Sequence, residues 1–481
     1  MKSAPTWEKV GARIWNVLNE GKPFTPVFVV GTFISFQLLF GSFHLISLLW
    51  AFFCVVPLLI LYACFEFPLK LRWYLWPPLV FFIGSFGGWH LGLQLWALVL
   101  YFFFTIIFWG SIYYHWRIGI PLDNYKRFWR LVLVHSDSTS GNAQEQLPKF
   151  MLLLAVLQWF YIVNPPFSLN LSTWFYLLFL VLLFFYSVGV HHFFFHWRPA
   201  EPEQWTRELA PVPKEEKVKR VVMVVIDGCR ADRLAEANTP FIDKLQGQGA
   251  VFTQMETIYP ARTVVCFSSI FTGAYPRDHG ITSNFVWRQG VRCESIFDQL
   301  RKKGKQGKLL AIAHLLEAFG NDVEAMSAVV PNDEIDGLTI ERAKQLMDEQ
   351  DWNLFAVQLI AVDQTGHSRG ALYDEYLAKI EEADRHVGAF YQWLEQAGYL
   401  EDAVFILCAD HGQSDGIGGH AHLDEGERYP PFLMVGKGIR EGVTIDTKVN
   451  LTSITPTICY LLGVPYPDHA RGQILQDALV D

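Results

Sequence analysis

The feature that most restricts the fold is a pattern that occurs three times: a run of apolar residues followed at once by an aspartate. The three runs are Val221–Asp227, Leu354–Asp363 and Ala403–Asp410. Continuous apolar and β-branched runs of this length are typical of strands buried on both faces of a parallel sheet. Since open α/β sheets bind ligands at the carboxyl ends of their strands, we expect the three aspartates to meet at one edge.

Histidines accompany the second and third aspartates. His367 follows Asp363 by four residues, and His411 comes directly after Asp410. Carboxylates that cluster in a buried place repel one another, and they are costly to bury without a cation. The sequence therefore predicts bound metal at this edge, with two ions the preferred number.

Composition divides the 481 residues into three parts. Residues 1–198 are dominated by Phe, Leu, Trp, Val and Ile, 199–219 are rich in Pro and charge, and 220–481 have the balance of a soluble protein. We predict a multi-span transmembrane domain, a linker and a catalytic domain. Strands alternate with helical stretches in the last part, which predicts an α/β fold with a mostly parallel, doubly wound sheet, preceded by an all-α membrane domain.

The apolar part is long enough for six membrane spans. Phe24–Phe65 and Trp73–Tyr114 each hold two spans of about 20 residues, Leu171–Val190 is one more, and Met151–Val163 is short for a span. Buried helices of a soluble protein are excluded because almost no charge interrupts four of these segments. Residues 1–23 are polar and no apolar core with a cleavage site follows, so we do not expect a removable signal peptide.

The distribution of basic residues predicts an orientation. Lys and Arg occur in 1–23, 66–73, 115–149 and 198–220, whereas the alternate turns at 41–44, 87–90 and 164–170 have none. With six spans, the positive-inside rule places both termini and the catalytic domain in the cytoplasm. If Met151–Val163 does not cross, the catalytic domain lies outside instead.

Charge and cysteine usage exclude some functions. The formal net charge of −9 offers no basic face for a nucleic-acid polymer. The seven cysteines show no paired spacing and no Cys-x-x-Cys, which is unlike a disulfide framework or a structural zinc site. Unpaired thiols favour a reducing compartment.

Further motifs follow in a set order along the C-terminal part: Tyr259–Val265, Thr272–Asn284, Asp363–His367, Asp410–Gly412, Gly418–His420 and Leu451–Pro465. Together with Asp227-Gly228 they resemble the alkaline phosphatase superfamily, and within it the type I phosphodiesterase/nucleotide pyrophosphatase group. The resemblance covers about 220–475 and implies a sheet of the alkaline-phosphatase type. The membrane part resembles no family that we recognise.

The resemblance implies two divalent metal ions. One would be held by Asp363, His367 and His420, and the other by Asp227, Asp410, His411 and the hydroxyl of Thr263. Oxygen and imidazole ligands suit Zn²⁺, and Mn²⁺ is possible. His422, two residues beyond His420, is the alternative ligand.

The resemblance also implies the reacting groups. Thr263 would be the nucleophile and would become phosphorylated, and the amide of Asn284 would donate to a phosphoryl oxygen. A threonine hydroxyl is a poor nucleophile at neutral pH unless a metal lowers its pKa. Arg262 either contacts the phosphate or is simply exposed, and His279 is expected to be a structural turn residue.

The first prediction for function is a membrane-bound, metal-dependent phosphodiesterase that cleaves phosphodiester or pyrophosphate bonds of a lipid or nucleotide-like substrate. An alternative is a transferase that moves a phosphoethanolamine- or phosphoglycerol-type group between a lipid and an acceptor. An alternative of another class is a catalytically inactive membrane scaffold or transporter. A sulfatase is excluded because the sequence around Thr263 lacks the Cys-x-Pro-x-Arg context.

Overall fold

The computed structural model describes residues 24–41, 43–65, 74–113, 115, 122–126, 139–163, 170–194, 209–282, 284, 290–326, 332–415, 419–421 and 424–480. These residues form two compact units, one before and one after position 197 of the sequence.

The first unit is helical. Its helices are α1 (Phe24–Phe40), α2 (Leu45–Cys64), α3 (Trp76–Phe86), α4 (Leu91–Phe102), α5 (Thr139–Gln158) and α6 (Leu171–Phe194). Helix α4 continues in π-helical turns over Phe103–Tyr113, and α5 does so over Trp159–Val163. Among the described residues, three helical segments are long and apolar enough to cross a membrane: Leu45–Tyr62, Leu91–Phe108 and Leu171–Phe193. Shorter apolar helices of this unit are Thr25–Phe40, Trp76–Phe86 and Gln146–Ile162.

Helices α1 and α5 run in the same direction. The Thr25 hydroxyl near the start of α1 donates to Gln146 in the middle of α5, and the Gln37 amide near the end of α1 donates to Gln158 at the end of α5, at 3.3 Å. The two bonded pairs have the same sequence separation of 121 residues. The two helices therefore lie side by side in register.

Helix α4 runs against both of them. The Phe28 ring near the start of α1 lies 5.9 Å from Tyr101 near the end of α4, and the Phe36 ring lies 5.2 Å from His90, which precedes α4. Tyr101 also lies 5.7 Å from Phe150 in the first half of the apolar part of α5.

The other helices continue this alternation. The His44 amide, which precedes α2, donates to the Tyr161 hydroxyl beyond the end of α5, at 2.9 Å. The Tyr74 ring stacks on Tyr186 at 4.6 Å, so that the start of α3 lies beside the late part of α6. Successive helices thus alternate in direction, and Phe24 and Phe194 lie at the same end of the unit.

The segment that is shortest as a predicted span is the centre of this unit. In α5 and the turns beyond it, the side chains of Phe150, Leu152–Leu157, Trp159 and Phe160 are at most 2% exposed. Helix α5 packs against α1, α2, α3 and α4. Its neighbours therefore cover the segment, and its apolar side chains form part of the core of the helical unit.

The second unit is built on an eight-stranded sheet in the order β5-β4-β6-β1-β7-β8-β2-β9. Its strands are β1 (Arg220–Ile226), β2 (Ala250–Phe252), β4 (Gly307–Ile312), β5 (Val323–Met326), β6 (Leu354–Leu359), β7 (Ala403–Cys408), β8 (Phe432–Gly436) and β9 (Val443–Ile445). Strand β8 is antiparallel to β7 and β2, and the other pairs are parallel. A separate ribbon pairs β3 (Met255–Glu256) with β10 (Val449–Asn450). The predicted mostly parallel α/β sheet is confirmed.

Helices cover both faces of this sheet. They are α7 (Ala231–Glu236), α8 (Pro240–Gln248), α9 (Thr263–Thr272), α10 (Pro276–His279), α11 (Ile296–Lys302), α12 (Leu316–Phe319), α13 (Asn332–Glu349), α14 (Ala361–Arg369), α15 (Asp374–Gln396), α16 (Glu425–Arg428) and α17 (Ile454–Leu462). Val221, Met223 and Val225 of β1 pack in one core with α9, α11 and α17. Val222 and Val224 pack in the other core with α8, α13 and α15. Two covered faces explain why the strand sequence is continuously apolar.

One boundary differs from the predicted one. The sequence suggested a strand up to Val362, but β6 ends at Leu359 and α14 begins at Ala361. The buried carboxylate of Asp336 accepts hydrogen bonds from the amides of Ile360 and Ala361, at 2.8 and 3.3 Å. These bonds satisfy donors at the start of the helix, where the backbone has no partner of its own. Asp363 therefore lies in the first turn of a helix.

Candidate active site

The carboxyl ends of β1, β6 and β7 deliver the predicted acidic residues to one edge. Asp227 follows β1, and Gly228 after it has φ +66°, in the left-handed region that favours glycine. A Cβ atom on Gly228 would lie 2.7 Å from Oδ1 of Asp363. The glycine therefore lets the backbone turn and lets the second aspartate approach the first.

Asp227, Asp410 and His411 converge on one point. Nε2 of His411 lies 3.5 Å from Oδ1 of Asp227 and 3.3 Å from Oδ2 of Asp410. Nδ1 of His411 lies 2.9 Å from the carbonyl oxygen of Gly412, to which it donates when it carries the proton. That hydrogen bond leaves the lone pair of Nε2 facing the two carboxylates, an arrangement common for histidines that bind metal.

Thr263 and Asn284 lie beside this first group. Thr263 is the first residue of α9, and its hydroxyl oxygen is 3.5 Å from Nε2 of His411. The amide of Val264 donates to Oδ1 of Asn284 at 2.9 Å, which brings the Asn284 side chain to the start of α9. Backbone N–H groups at a helix start favour anions. The nucleophile candidate therefore lies where a phosphoryl group would be stabilised.

Asp363, His367 and His420 form a second group. Oδ2 of Asp363 lies 3.3 Å from Nε2 of His367, and its Oδ1 lies 3.6 Å from Nε2 of His420. Nδ1 of His420 is hydrogen-bonded to the carbonyl oxygen of Ala261. The rings of His411 and His420 stack with their centroids 3.8 Å apart, so that the two groups are neighbours.

Asp363 belongs to both groups. Its ligand atoms lie within 4.8 Å of those of His367 and His420, and also within 4.8 Å of those of Asp227 and His411. The resemblance implied that Asp363 would hold one ion only. His422, the alternative to His420, lies outside the described residues, so the choice of His420 stays a prediction.

The residues of the two groups fit divalent cations. Oδ1 of Asp227 and Oδ2 of Asp410 are buried and accept no hydrogen bond from the residues that the structure describes. Separations of 3.3 to 3.6 Å between ligand atoms agree with the edge of a tetrahedron whose metal–ligand bonds are about 2.0–2.1 Å, which is about 3.3 Å. Carboxylate and imidazole donors at these separations suit a small divalent ion.

Electrostatics point the same way. Burial, followed by the charges of Asp410 and Asp363, raises the pKa of Asp227 well above its ordinary value. Burial and the charge of Asp363 raise the pKa of Asp410 to about 7. Burial would also raise the pKa of Asp363, but the adjacent imidazoles, first that of His367, hold it below its usual range. The first group is therefore short of positive charge, which a metal ion would supply.

Two glutamines that the sequence analysis missed hold the aspartates in place. Nε2 of Gln358 donates to Oδ2 of Asp227 at 2.5 Å, and Oε1 of Gln358 accepts from the amide of Ile312 at 2.9 Å. Nε2 of Gln413 donates to Oδ1 of Asp363 at 2.5 Å. A signal for Gln358 was present, because it is the one polar residue inside the apolar run of β6.

His279 lies outside both groups. It is buried, its Nδ1 accepts from the amide of Ile281 at 3.1 Å, and its Nε2 is 3.0 Å from the Ser269 hydroxyl. Burial lowers the pKa of His279 to about 3. It is a neutral residue that joins α9 to the segment before Asn284. Arg262 is the residue that directly precedes α9.

Residues 221–306 and 319–457 match the family model for type I phosphodiesterase/nucleotide pyrophosphatase. GPI ethanolamine phosphate transferase 2 of Aspergillus fumigatus is 27% identical over 287 residues, which cover 54% of this chain and 37% of that protein. Ectonucleotide pyrophosphatase/phosphodiesterase family member 1 of Mus musculus is 25% identical over 229 residues, covering 42% of this chain and 25% of that protein.

The match to these relatives is partial, since the chain spans about a third of their length or less. Among solved structures, wild-type alkaline phosphatase PafA aligns with a TM-score of 0.47 and 13% identity, covering 56% of this chain and all of that chain. The matched residues contain the two ligand groups, Thr263 and Asn284. The second unit of this chain therefore matches the type I phosphodiesterase/nucleotide pyrophosphatase family model over the part that holds the candidate site.

Proposed function

We propose that this protein is a membrane-bound, metal-dependent transferase that moves a phosphoethanolamine-type group from a lipid to a hydroxyl acceptor. The observation that carries the chemistry is the Thr263 hydroxyl at the start of a buried helix, 3.5 Å from His411 of the first ligand group. The first prediction from the sequence was hydrolysis. The similarity to GPI ethanolamine phosphate transferase 2 favours the alternative prediction, transfer.

The reaction has two displacements. The Thr263 oxygen forms a bond to phosphorus while the bond to the donor's alcohol oxygen breaks, and the departing alcohol gains the proton that the Thr263 hydroxyl loses. The acceptor hydroxyl then attacks the same phosphorus, its proton is released, and the Thr263 hydroxyl is restored. The Asn284 amide, held by its bond from Val264, is beside the start of α9 to donate to a phosphoryl oxygen.

Two divalent ions are part of this proposal. Zn²⁺ fits the carboxylate and imidazole donors best, and Mn²⁺ is the alternative where oxygens are numerous. Bound there, such ions would act as Lewis acids that lower the pKa of the attacking hydroxyl and offset charge on the phosphoryl group. Asp227, Asp410 and His411 would hold one and Asp363, His367 and His420 the other, with Asp363 close to both.

The helical unit supports a lipid substrate. Large apolar side chains face outward on its helices, for example Phe53 at 69% and Leu171 at 70% exposure. Contiguous exposed apolar surface of this kind is suited to a bilayer and not to water. A water-soluble nucleotide substrate would not require such a unit.

Hydrolysis of a phosphodiester or pyrophosphate bond is the second candidate. It needs only that water replaces the acceptor hydroxyl in the second displacement. The similarity to the ectonucleotide pyrophosphatase/phosphodiesterase of mouse favours it. An inactive scaffold or transporter is disfavoured because the ligand groups and Thr263 are all present.

An assay of products separates these candidates. The purified full chain, loaded with Zn²⁺ or Mn²⁺, is given phosphatidylethanolamine labelled in its ethanolamine together with a long-chain alcohol acceptor in detergent. Transfer predicts label on the alcohol and formation of diacylglycerol, whereas hydrolysis predicts free phosphoethanolamine. Thr263→Ala is the control and should form neither product. Activity only on nitrophenyl phosphodiesters, with no labelled alcohol, would contradict the transferase and support the hydrolase.

We further propose that the catalytic unit lies on the cytoplasmic side. The alternating helices bring Phe24, Phe65, Tyr74 and Phe194 to the same end of the helical unit. The connecting sequences at that end carry the basic residues, and those at the opposite end carry none. The positive-inside rule then favours the cytoplasm for this end and for the chain that follows it.

Labelling tests the orientation. Glu215→Cys, at an exposed position before β1, should react with a membrane-impermeant thiol reagent only after cells are permeabilised. Phe43→Cys, which is 47% exposed at the other end of the helical unit, should react in intact cells. Wild type is measured alongside because Cys64 is itself exposed. The reverse pattern would place the catalytic unit outside.

A further inference from the structure

Glu427 is a fully buried acidic residue next to the candidate site. It lies in the short helix α16 and its side chain has no exposed surface. Burying a carboxylate is costly unless hydrogen bonds hold it. The hydrogen bonds that the Glu427 carboxylate accepts therefore bear on its role.

The carboxylate joins two segments that carry histidines. Oε2 of Glu427 accepts from the amide of Ala421 at 2.6 Å, directly after His420, and Oε1 accepts from the Ser414 hydroxyl at 2.6 Å. The amide of Ser414 donates to the carbonyl of Gly419 at 2.9 Å. One side chain thus connects the segment after His411 with the segment around His420.

The main chain of Glu427 makes a separate contact with the first of these segments. Its carbonyl accepts from the amide of Gly412 at 3.1 Å, next to His411. This contact does not depend on the side chain. A substitution at Glu427 should therefore disturb the surroundings of His420 more than those of His411.

The loop around His420 needs such support. Ala421 has φ +74°, the one positive φ of a non-glycine residue among those the structure describes. A left-handed backbone is unfavourable at alanine, and it persists only where surrounding contacts impose it. At Gly419, with φ +133°, a Cβ atom would lie 2.7 Å from Cε1 of His367. The loop therefore approaches His367 closely at Gly419, and the ring of His420 lies 5.0 Å from that of His367.

We infer that Glu427 is a positioning residue that holds His420 toward Asp363 and His367 before metal binds. The inference rests on the proposed metal centre, in which these three residues hold the second ion. The Glu427 carboxylate fixes the amide after His420, and the Ala261 carbonyl fixes its ring through Nδ1. With both held, Nε2 of His420 faces Asp363 without reorganisation.

The test measures Zn²⁺ binding to the full chain in detergent after chelation, for wild type, Glu427→Ala, Glu427→Gln and Glu425→Ala. Glu425 is the matched control, since it lies in the same short helix with a side chain that is half exposed. We expect wild type to bind two ions, and Glu425→Ala to bind each of them with the same affinity as wild type does. Glu427→Ala should bind one ion as wild type does and the other about 10- to 100-fold more weakly, the usual effect of losing an outer partner of a metal ligand.

The conservative variant distinguishes positioning from general loss of structure. A glutamine can accept from the Ala421 amide and donate to the Ser414 hydroxyl, so Glu427→Gln should bind the second ion within about threefold of wild type. Excess Zn²⁺ should restore turnover of Glu427→Ala toward wild type. If Glu427→Ala does not fold, Ser414→Ala replaces it in the test. Ser414→Ala should bind the ion held by Asp363, His367 and His420 more weakly than wild type and bind the other ion as wild type does.

Several outcomes would overturn the inference. One is a Glu427→Ala protein that binds both ions like wild type, and another is a folded Glu427→Ala protein that loses both ions. A third is a Glu427→Gln protein that binds Zn²⁺ as weakly as Glu427→Ala does. In the replacement test, Ser414→Ala with unchanged Zn²⁺ binding would have the same meaning. A wild-type protein that binds no Zn²⁺ would instead overturn the proposed metal centre. The two failures are therefore distinguishable.

Discussion

The two units of this protein differ in the kind of polar group that they bury. In the helical unit, apolar side chains face outward and amides lie inside, where Gln37 of α1 donates to Gln158 of α5. In the α/β unit, apolar residues fill the two cores and buried carboxylates collect at one sheet edge, where Oδ1 of Asp227 and Oδ2 of Asp410 accept no hydrogen bond from the described residues. The amides of Gln37 and Gln158 satisfy each other, whereas carboxylates that face each other call for a cation.

This difference indicates where function lies. A hydrogen-bonded pair of amides between two helices contributes a small free energy to helix association and has no sign of a further role. A cluster of acidic residues with unsatisfied oxygens is destabilising by itself, so its presence at a strand edge is a sign of a ligand. The following experiments test this contrast between the units.

The largest expected effect is at Thr263. Thr263→Ala should lower turnover by about a thousandfold or more, because the hydroxyl that attacks phosphorus is missing. The Zn²⁺ content should stay close to wild type, since carboxylates and imidazoles supply most of the affinity. Thr263→Ser keeps a hydroxyl and should retain measurable turnover. Activity of Thr263→Ala within tenfold of wild type would contradict its role as nucleophile.

Removing a ligand of the second group should have the next largest effect. His420→Ala should lose one ion and most of its activity, with an affinity loss beyond the about 10- to 100-fold typical of outer partners. His422→Ala is the matched control, two residues further along the chain, and should keep both ions. Metal analysis of the two purified variants decides the matter. If His422→Ala empties the site, the two histidines exchange roles.

A pH effect on stability should follow from His279. Burial lowers its pKa to about 3 in the folded protein, whereas an unfolded histidine has a pKa of about 6.5. The unfolded state therefore binds the proton first as the pH falls, and the stability present above pH 6.5 decreases from there toward pH 3. Between pH 7 and pH 5 the loss should be about 2 kcal/mol.

The control for this effect is His279→Gln, which cannot take up the proton. Wild type and variant share all other titrating groups, so the difference between their pH profiles isolates His279. Denaturation midpoints of the full chain at pH 7 and pH 5 measure it. Equal losses in both proteins would mean that His279 is not held neutral.

The smallest expected effect is in the helical unit. Gln37→Leu and Gln158→Leu should show a coupling free energy of only about 0.6 kcal/mol in a double-mutant cycle, the typical value for hydrogen bonds between membrane helices. Thermal unfolding in detergent provides the measurement, and catalytic turnover should not change. A coupling several times larger, or a loss of turnover, would mean that this pair does more than hold α1 and α5 together.

The mostly parallel α/β sheet could be predicted from the sequence alone, and so could the approach of Asp227 and Asp363 to each other at one edge of it. The apolar runs that end in Asp227, Asp363 and Asp410 were sufficient to predict three buried strands with acidic residues at their ends, because a buried strand has a recognisable local sequence. Of the six predicted spans, three coincide with helical segments that are long and apolar enough to cross a membrane, and the other three coincide with shorter apolar helices. Thr263, Asn284 and His420 came from the resemblance, which depends on an ordered set of short motifs.

Contacts between residues that are far apart along the chain could not be predicted from the sequence. Nothing in the sequence indicated that α5 is the buried centre of its unit, because burial there comes from the helices packed around it. Likewise, only the folded sheet brings Gln358 to Asp227 and Gln413 to Asp363. The fold also brings the Glu427 carboxylate within hydrogen-bonding distance of the Ser414 hydroxyl and the Ala421 amide. Such hydrogen bonds depend on distance in space, and a sequence records only distance along the chain.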